Sequence, residues 1–354
     1  MTTPDGTAKD NGGPPAPSRR AFLTAAGSGI LLPLAARGQM AASTRGGTPP
    51  PGTGKPGPAG LPQPIETIDL WPNGAPGLPR TRLVETVNER SPDPAQFNDR
   101  AVFGISRPRL VVFRPIRPNG AAVLITPGGG YRWVVVDKEG YELGRWLSAR
   151  GITVFVLFYR LPGEGWAAGP DVPLSDAQRA MRLIRHRARD YGVDPERVAA
   201  MGFSAGGHLC ADLLTRFATP TYRPVDAADT LSTRPVAAAP IYPVVSMSAP
   251  HAHPGSRELL VGINARRARE DAHSPHLNVP ANAPPVFLAH AEDDQVVPVE
   301  NTLLLRAALK ARGVPVETHL FTHGGHGFGL RFTTGKPVAA WPDLFLNWAA
   351  GLLI

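Results

Sequence analysis

The chain has 354 residues, 42% of them hydrophobic and 19% charged, with a formal net charge of +8. That balance describes a soluble globular protein long enough to bury a full core as one large α/β unit. The single cysteine, Cys210, excludes an intramolecular disulfide and any cysteine-based zinc site, and its apolar helical setting predicts a buried, inert thiol. The basic residues are scattered and accompany no recognition motif, so no nucleic-acid partner is expected. Weak attraction to an acidic polymer or cell surface fits the charge better.

Read from the start, Ser18-Arg19-Arg20-Ala21-Phe22-Leu23-Thr24 matches the twin-arginine export consensus and precedes an apolar stretch over 21–36. That stretch is too short and weakly apolar to remain as a membrane anchor. Residues 1–42 therefore read as a signal segment, with cleavage around Ala36 to Ala42 and a periplasmic or secreted destination. Residues 43–62 are rich in Gly and Pro and read as a flexible linker. The catalytic domain is expected over 63–354.

Within it, Arg109–Arg114 and Ala121–Thr126 read as strands, the second apolar enough to be buried on both faces. Glu139–Arg150 has helical spacing and ends at Gly151. Ile152–Phe158 is a third strand. Ser175–Tyr191 reads as a helix capped at Ser175 or earlier, with Arg182, Arg185 and Arg189 on a solvent face. Arg197–Met201 is a short strand leading into Gly202-Phe203-Ser204-Ala205-Gly206, followed by an apolar helix. Val236–Tyr242 and Pro285–His290 are further strands. Asn301–Arg312 is a helix, Val316–Phe321 the last strand, and Asp343–Leu353 the closing helix. Alternating strands and helices predict a mostly parallel central sheet with helices on both faces.

A serine hydroxyl needs a base, a group to orient that base, and donors for the oxyanion. In open α/β sheets such groups gather beyond the C-terminal ends of strands. Ser204 follows a strand, is flanked by glycines at the spacing of a nucleophile elbow, and heads a helix whose dipole favours negative charge. A GxSxG match alone is weak in a chain with 38 glycines, so its placement carries the argument. The amide of Ala205 is one expected oxyanion donor. Pro127-Gly128-Gly129-Gly130-Tyr131, after another buried strand, resembles the glycine-rich oxyanion loop of esterases, which implies Gly129 and Gly130 as the other donors. The acid is expected in His290–Pro298. The hydrolase pattern His-Gly-x-x-Asp-x-x-Val-Pro maps onto Asp294, with Ala291 in place of the usual Gly. Asp293 is the rival, read otherwise as capping the loop or facing water. Among His319, His323 and His326, the base is assigned to His326, which has glycines on both sides. His319 reads as structural and His323 as a supporting residue. The order Ser204, Asp294, His326 is that of the α/β-hydrolase fold. His251, His253, His273 and His276 read as ordinary loop histidines, so no metal and no cofactor are expected.

Taken together, these blocks resemble the secreted bacterial esterases of the acetylxylan esterase and feruloyl esterase type. The shared segments are Leu70–Gly77, Pro127–Tyr131, Lys138–Gly140, Tyr159–Pro162, Gly202–His208, Asp293-Asp294 with Pro298–Asn301, and Gly325–Gly329. The resemblance implies an α/β-hydrolase that removes acetyl or feruloyl groups from plant polysaccharide or related small esters. Tyr131, Trp133 and Trp166 are candidates to stack on a sugar or ferulate ring and suit core positions equally well. The polar segment between Thr219 and Arg234 argues against a lipase lid. Two alternatives share the fold. A prolyl-oligopeptidase-type peptidase normally carries a large N-terminal propeller, and a non-catalytic carbohydrate-binding relative normally lacks a triad member.

Overall fold

The apolar runs of the sequence become adjacent strands of one sheet. The computed structural model describes residues 62–353, so the twin-arginine segment and all but the last residue of the linker lie outside the described residues. In chain order the strands are β1 (Pro64–Asp69), β2 (Thr86–Glu89), β3 (Arg100–Phe103), β4 (Arg109–Phe113), β5 (Gly120–Thr126) and β6 (Val134–Val135). They continue with β7 (Thr153–Phe158), β8 (Val193–Phe203), β9 (Ala238–Ile241), β10 (Val286–Ala291) and β11 (Val316–Phe321). The helices are α1 (Glu142–Ser148), α2 (Val172–His186), α3 (Ala205–Arg216), α4 (Pro254–Val261), α5 (Arg267–Ala272), α6 (Glu300–Ala311) and α7 (Trp341–Leu353).

Eight strands form the main sheet in the order β1-β4-β7-β5-β8-β9-β10-β11. The pairs β1/β4 and β4/β7 are antiparallel and all later neighbours are parallel. Every residue of β4 and β7 is buried, as continuous apolar runs require when both faces of a sheet are covered. After β5 the chain adds β7 on one side and then β8 on the other. Strand order thus reverses between β5 and β8, which makes their C-terminal ends the place where an open α/β sheet forms its crevice. Right-handed crossovers put α1 and α2 on opposite faces for the same reason. The next crossover continues in the direction of the second, and α3 packs on α2. Helix α7 lays Trp341 against Phe203 and Phe345 against Phe287. This is the α/β-hydrolase fold.

Three expectations are corrected. Helix α2 starts at Val172, ahead of Ser175 as the sequence allowed, but ends at His186 rather than Tyr191, and Ser175 donates its hydroxyl to the Asp171 carbonyl at 2.8 Å. Its arginines do not share a solvent face. Arg179 is buried against Asp226, Asp229 and the Leu70 carbonyl, while Arg185 donates to the carbonyls of Pro195, Ser232 and Arg234. Arg182 reaches Tyr222 and the Leu231 carbonyl, leaving Arg189 exposed. The polar segment between Thr219 and Arg234 supplies most of these acceptors, so it staples α2 rather than covering the crevice. A small antiparallel sheet, β2-β3-β6, was not expected from the sequence. Its strands are two to four residues long and β2 is largely exposed, so no periodicity marks it. Arg100, at the start of β3, fixes it by donating through its amide and guanidinium to the buried Asp137. No helix among the described residues is long and apolar enough to cross a membrane.

Candidate active site

Ser204 sits between the last residue of β8 and the first of α3, with φ +54° and ψ −119°. A non-glycine residue rarely holds that conformation unless its surroundings impose it. Here the flanking glycines allow it. A Cβ on Gly202 would strike the Gly206 carbonyl, and one on Gly206 would strike the carbonyls of Thr126 and Pro127. The strand, the helix and the end of β5 therefore close on each other only if both positions are glycine.

The serine hydroxyl lies 2.8 Å from His326 Nε2, and His326 Nδ1 lies 2.7 Å from Asp294 Oδ2. The amides of Val296 and Val297 each donate to Asp294 Oδ1 at 2.9 Å, and His290 Nε2 reaches Oδ2 at 3.1 Å. Burial alone would raise the pKa of this carboxyl. The bonds from His290 and His326, the charge of His326 and the Val297 amide outweigh it and hold Asp294 well below the usual carboxylate range. Asp293 faces elsewhere, accepting the amides of Gly324 at 2.9 Å and Gly325 at 2.7 Å. The two adjacent carboxylates thus divide the work. Asp294 orients toward the imidazole, and Asp293 clamps the glycine loop that carries it. His323 is mostly exposed and lies 3.6 Å from Asp293, while His319 pairs with Glu317 on β11.

In the loop after β5, Gly128 donates its amide to Glu139 Oε2 at 2.8 Å. The amides of Gly129 and Gly130 have no acceptor among the described residues. Both residues adopt positive φ, +128° and +66°, and a Cβ on Gly129 would strike the Trp133 carbonyl. Ala205, first in α3, has no acceptor within its helix. Gly129, Gly130 and the Ser204 hydroxyl border a cavity of about 440 Å³, and Ala205 directly follows the serine.

Of the three aromatic candidates, only Trp133 lines this cavity. Tyr131 is corrected to a core residue. It is buried against Tyr159, and its hydroxyl meets His208 Nδ1 at 2.7 Å. Since His208 Nε2 donates to the His273 carbonyl, Nδ1 accepts from Tyr131, and burial pushes the His208 pKa down to about 4. Trp166 is likewise in the core, beneath the Arg160 guanidinium at 4.8 Å. Arg160 makes a buried ion pair with Asp176, which also accepts the Trp71 indole N–H. The blocks Leu70–Gly77 and Tyr159–Pro162 thus meet around Arg160, and none of their residues lines the Ser204 cavity. Cys210 is fully buried, which pushes its thiol up to about 12.

Several residues of the site carried no assignment in the sequence. His290 steadies Asp294 and is itself held by Thr302. Its i, i+4 spacing from Asp294 at a strand end was the available signal. Glu139, buried beside Gly128, accepts the Tyr242 hydroxyl at 3.0 Å, and the Tyr242 ring meets the His326 ring edge-on at 5.2 Å. His253, read as an ordinary loop histidine, lines the cavity with Ser204 and His326. Its Nδ1 accepts the Ser256 amide, so the neutral ring carries its proton on Nε2. Burial and then the nearby His326 lower its pKa, keeping it neutral at pH 7. Among the described residues no group of three or more His, Cys, Asp or Glu is placed to hold a metal.

The chain resembles known proteins along most of this fold. It is 30% identical over 230 residues to an acetylxylan esterase of Xylanibacter ruminicola, covering 62% of this chain and 44% of that protein. It is 32% identical over 229 residues to endo-1,4-beta-xylanase B of Butyrivibrio fibrisolvens, covering 65% and 34% respectively. The chain therefore spans less than half the length of these curated relatives. A solved structure, the acetyl ester-xyloside bifunctional hydrolase from Caldicellulosiruptor lactoaceticus, is 34% identical with a TM-score of 0.67, covering 83% of this chain and 98% of that one. A thermophilic esterase from Thermogutta terrifontis shares 25% identity at a TM-score of 0.57, covering 69% and 89%. The BD-FAE family matches residues 117–309, more than half of the sequence, and the chain belongs to that family.

Proposed function

We propose that this chain is a serine carboxylesterase that removes acetyl groups from xylan-type carbohydrate esters. The observation that carries the reading is the hydrogen-bonded line from Ser204 through His326 to Asp294 beside three unpaired amides. Ser204 Oγ attacks the ester carbonyl while His326 Nε2 takes its proton. Asp294 holds the imidazole in the tautomer that leaves Nε2 free and stabilises the imidazolium that forms. The oxyanion forms against the amides of Gly129, Gly130 and Ala205, where each donor is worth roughly 3–4 kcal/mol in the transition state. His326 then protonates the departing alcohol, and water, activated by the same imidazole, releases acetate and restores the serine. The acetyl choice is supported by the acetylxylan esterase and acetyl ester-xyloside hydrolase among its relatives.

Purified protein should hydrolyse 4-nitrophenyl acetate, and Ser204→Ala should lower kcat by roughly 10⁴-fold or more. Turnover that survives the substitution sinks the assignment. Across acetyl, butyryl, octanoyl and feruloyl esters, kcat/KM should fall steeply after acetyl, and a maximum at octanoyl would contradict a carbohydrate deacetylase. We also propose twin-arginine export, on the strength of Ser18–Thr24. Replacing Arg19 and Arg20 together by Lys should leave the uncleaved precursor inside the cell.

A further inference from the structure

We infer that the site selects esters whose alcohol part bears a carboxylate, such as acetylated sugars that carry or adjoin a uronic acid. The inference rests on the esterase reading and names its substrate class more narrowly.

Besides Ser204 and His326, the cavity is lined by Arg90, Arg132, Lys138 and a single carboxylate, Glu139. Arg90 is paired with Asp99 at 2.7 Å. Glu139 is buried, with its oxygens taken by the Gly128 amide and the Tyr242 hydroxyl, and it partly offsets its neighbour Lys138. Arg132 has no ion pair and no hydrogen bond from its guanidinium among the described residues, and Lys138 has no ion pair. His253, the other titratable group on the lining, is neutral at pH 7. The balance on this wall is therefore positive, and its unspent charge stands on Arg132 and Lys138.

The guanidinium carbons of Arg90 and Arg132 each lie 5.9 Å from the centre of the Trp133 ring. Guanidinium groups gathered on an indole at the cavity wall offer a carboxylate a bidentate partner. Arg132 and Trp133 follow the Gly129-Gly130 donors in sequence after one residue, the buried Tyr131. A substrate whose carbonyl oxygen sits on those amides thus meets the cations with its remaining part. An acetyl group needs little of the roughly 440 Å³, which leaves the rest of the cavity to the alcohol. A cleft whose net charge is positive also draws an anionic ester in faster, an effect that salt screens.

The test compares 4-acetoxybenzoate with its neutral methyl ester on the full chain. What is read is the ratio of their kcat/KM values in wild type and in Arg132→Gln/Lys138→Gln, so that differences in leaving group or in fold cancel. The ratio should fall about 5- to 10-fold in the double variant, mainly through KM, and fall similarly in wild type at high salt. Arg132→Lys should keep part of it. A ratio that the double variant leaves unchanged overturns the inference. A second arm measures binding of glucuronic-acid-substituted xylotriose and plain xylotriose to Ser204→Ala by calorimetry, so it needs no turnover. Tighter binding of the acidic sugar that the double variant abolishes supports a uronate substrate, and equal binding rules it out. Absence of turnover in wild type would instead strike the esterase reading alone.

Discussion

The turn at Ser204 and the arginine face of α2 both bury polar groups, yet they do so by opposite means. At the turn the sequence signal is local. Gly202 and Gly206 are two residues either side of the serine, and each is glycine because backbone carbonyls occupy the space a side chain would need. On α2 the arginines look like an ordinary helical solvent face. Arg179 is buried because Asp226 and Asp229, some fifty positions away, fold back over it. The first arrangement is announced by five consecutive residues, with Thr126 and Pro127 closing on it, and the second gives no local sign until two distant segments meet. The turn also stores an unusual backbone conformation for chemistry, whereas the arginine face serves only to hold the helix.

Substitutions can separate these roles. After Ser204→Ala, the largest effect on rate is expected from Asp294→Asn, which should cut kcat by about 10⁴-fold by spoiling the imidazole tautomer. If Asp293→Asn proved the more damaging, the two carboxylates would have to exchange roles. The converse is expected of Arg179→Met. It removes the donor to the Leu70 carbonyl and the nearest cation of the buried Asp229, which keeps Tyr222 and the Val225 amide, and should cost about 1–3 kcal/mol of stability in denaturant unfolding. Its kcat on 4-nitrophenyl acetate should stay near wild type. A large loss of kcat with stability intact would show that the arginine face reaches the chemistry. Asp293→Asn should be milder, about tenfold in kcat, since it loosens the loop that carries His326 without touching the imidazole. Faster amide exchange at Gly324 and Gly325 would check that cause.

The smallest effect concerns acid. Asp226 and Asp229 both titrate below the usual carboxylate value in the folded chain. For Asp226 the Arg179 bond is the main cause. For Asp229, burial opposes the shift and is outweighed by the Tyr222 hydroxyl, the Val225 amide and Arg179. Because their folded pKa values are depressed, their contribution is complete above the unfolded value near ~4 and is lost as pH falls through the lower folded values. The stability gap between wild type and Arg179→Met should therefore narrow between about pH 5 and pH 2. A gap that widens on acidification would mean the pairing is not what stabilises α2.

Much of this architecture is legible in the sequence. The apolar core of β5 follows from an unbroken apolar run, and Gly151 and Gly313 mark helix ends by their chemistry alone. The β2-β3-β6 sheet was not legible, because its stability comes from the Arg100–Asp137 bonds rather than from any run of its own. Tyr131 and Trp166 show the same limit from the other side. Both are aromatic and near the motifs, and only packing against His208 and Arg160 decides that they belong to the core.

By itself, the sequence determined the strand–turn–helix at Ser204, the glycine loop after β5 and the chain order of serine, acid and histidine. These depend on steric and hydrogen-bonding limits that act over a few residues. Only the tertiary structure decided which of two neighbouring aspartates meets His326, which aromatic reaches the cavity, and that Glu139, His253 and His290 stand around the serine. Each of those outcomes depends on where a side chain points once distant strands have closed on one another, and no local rule carries that direction.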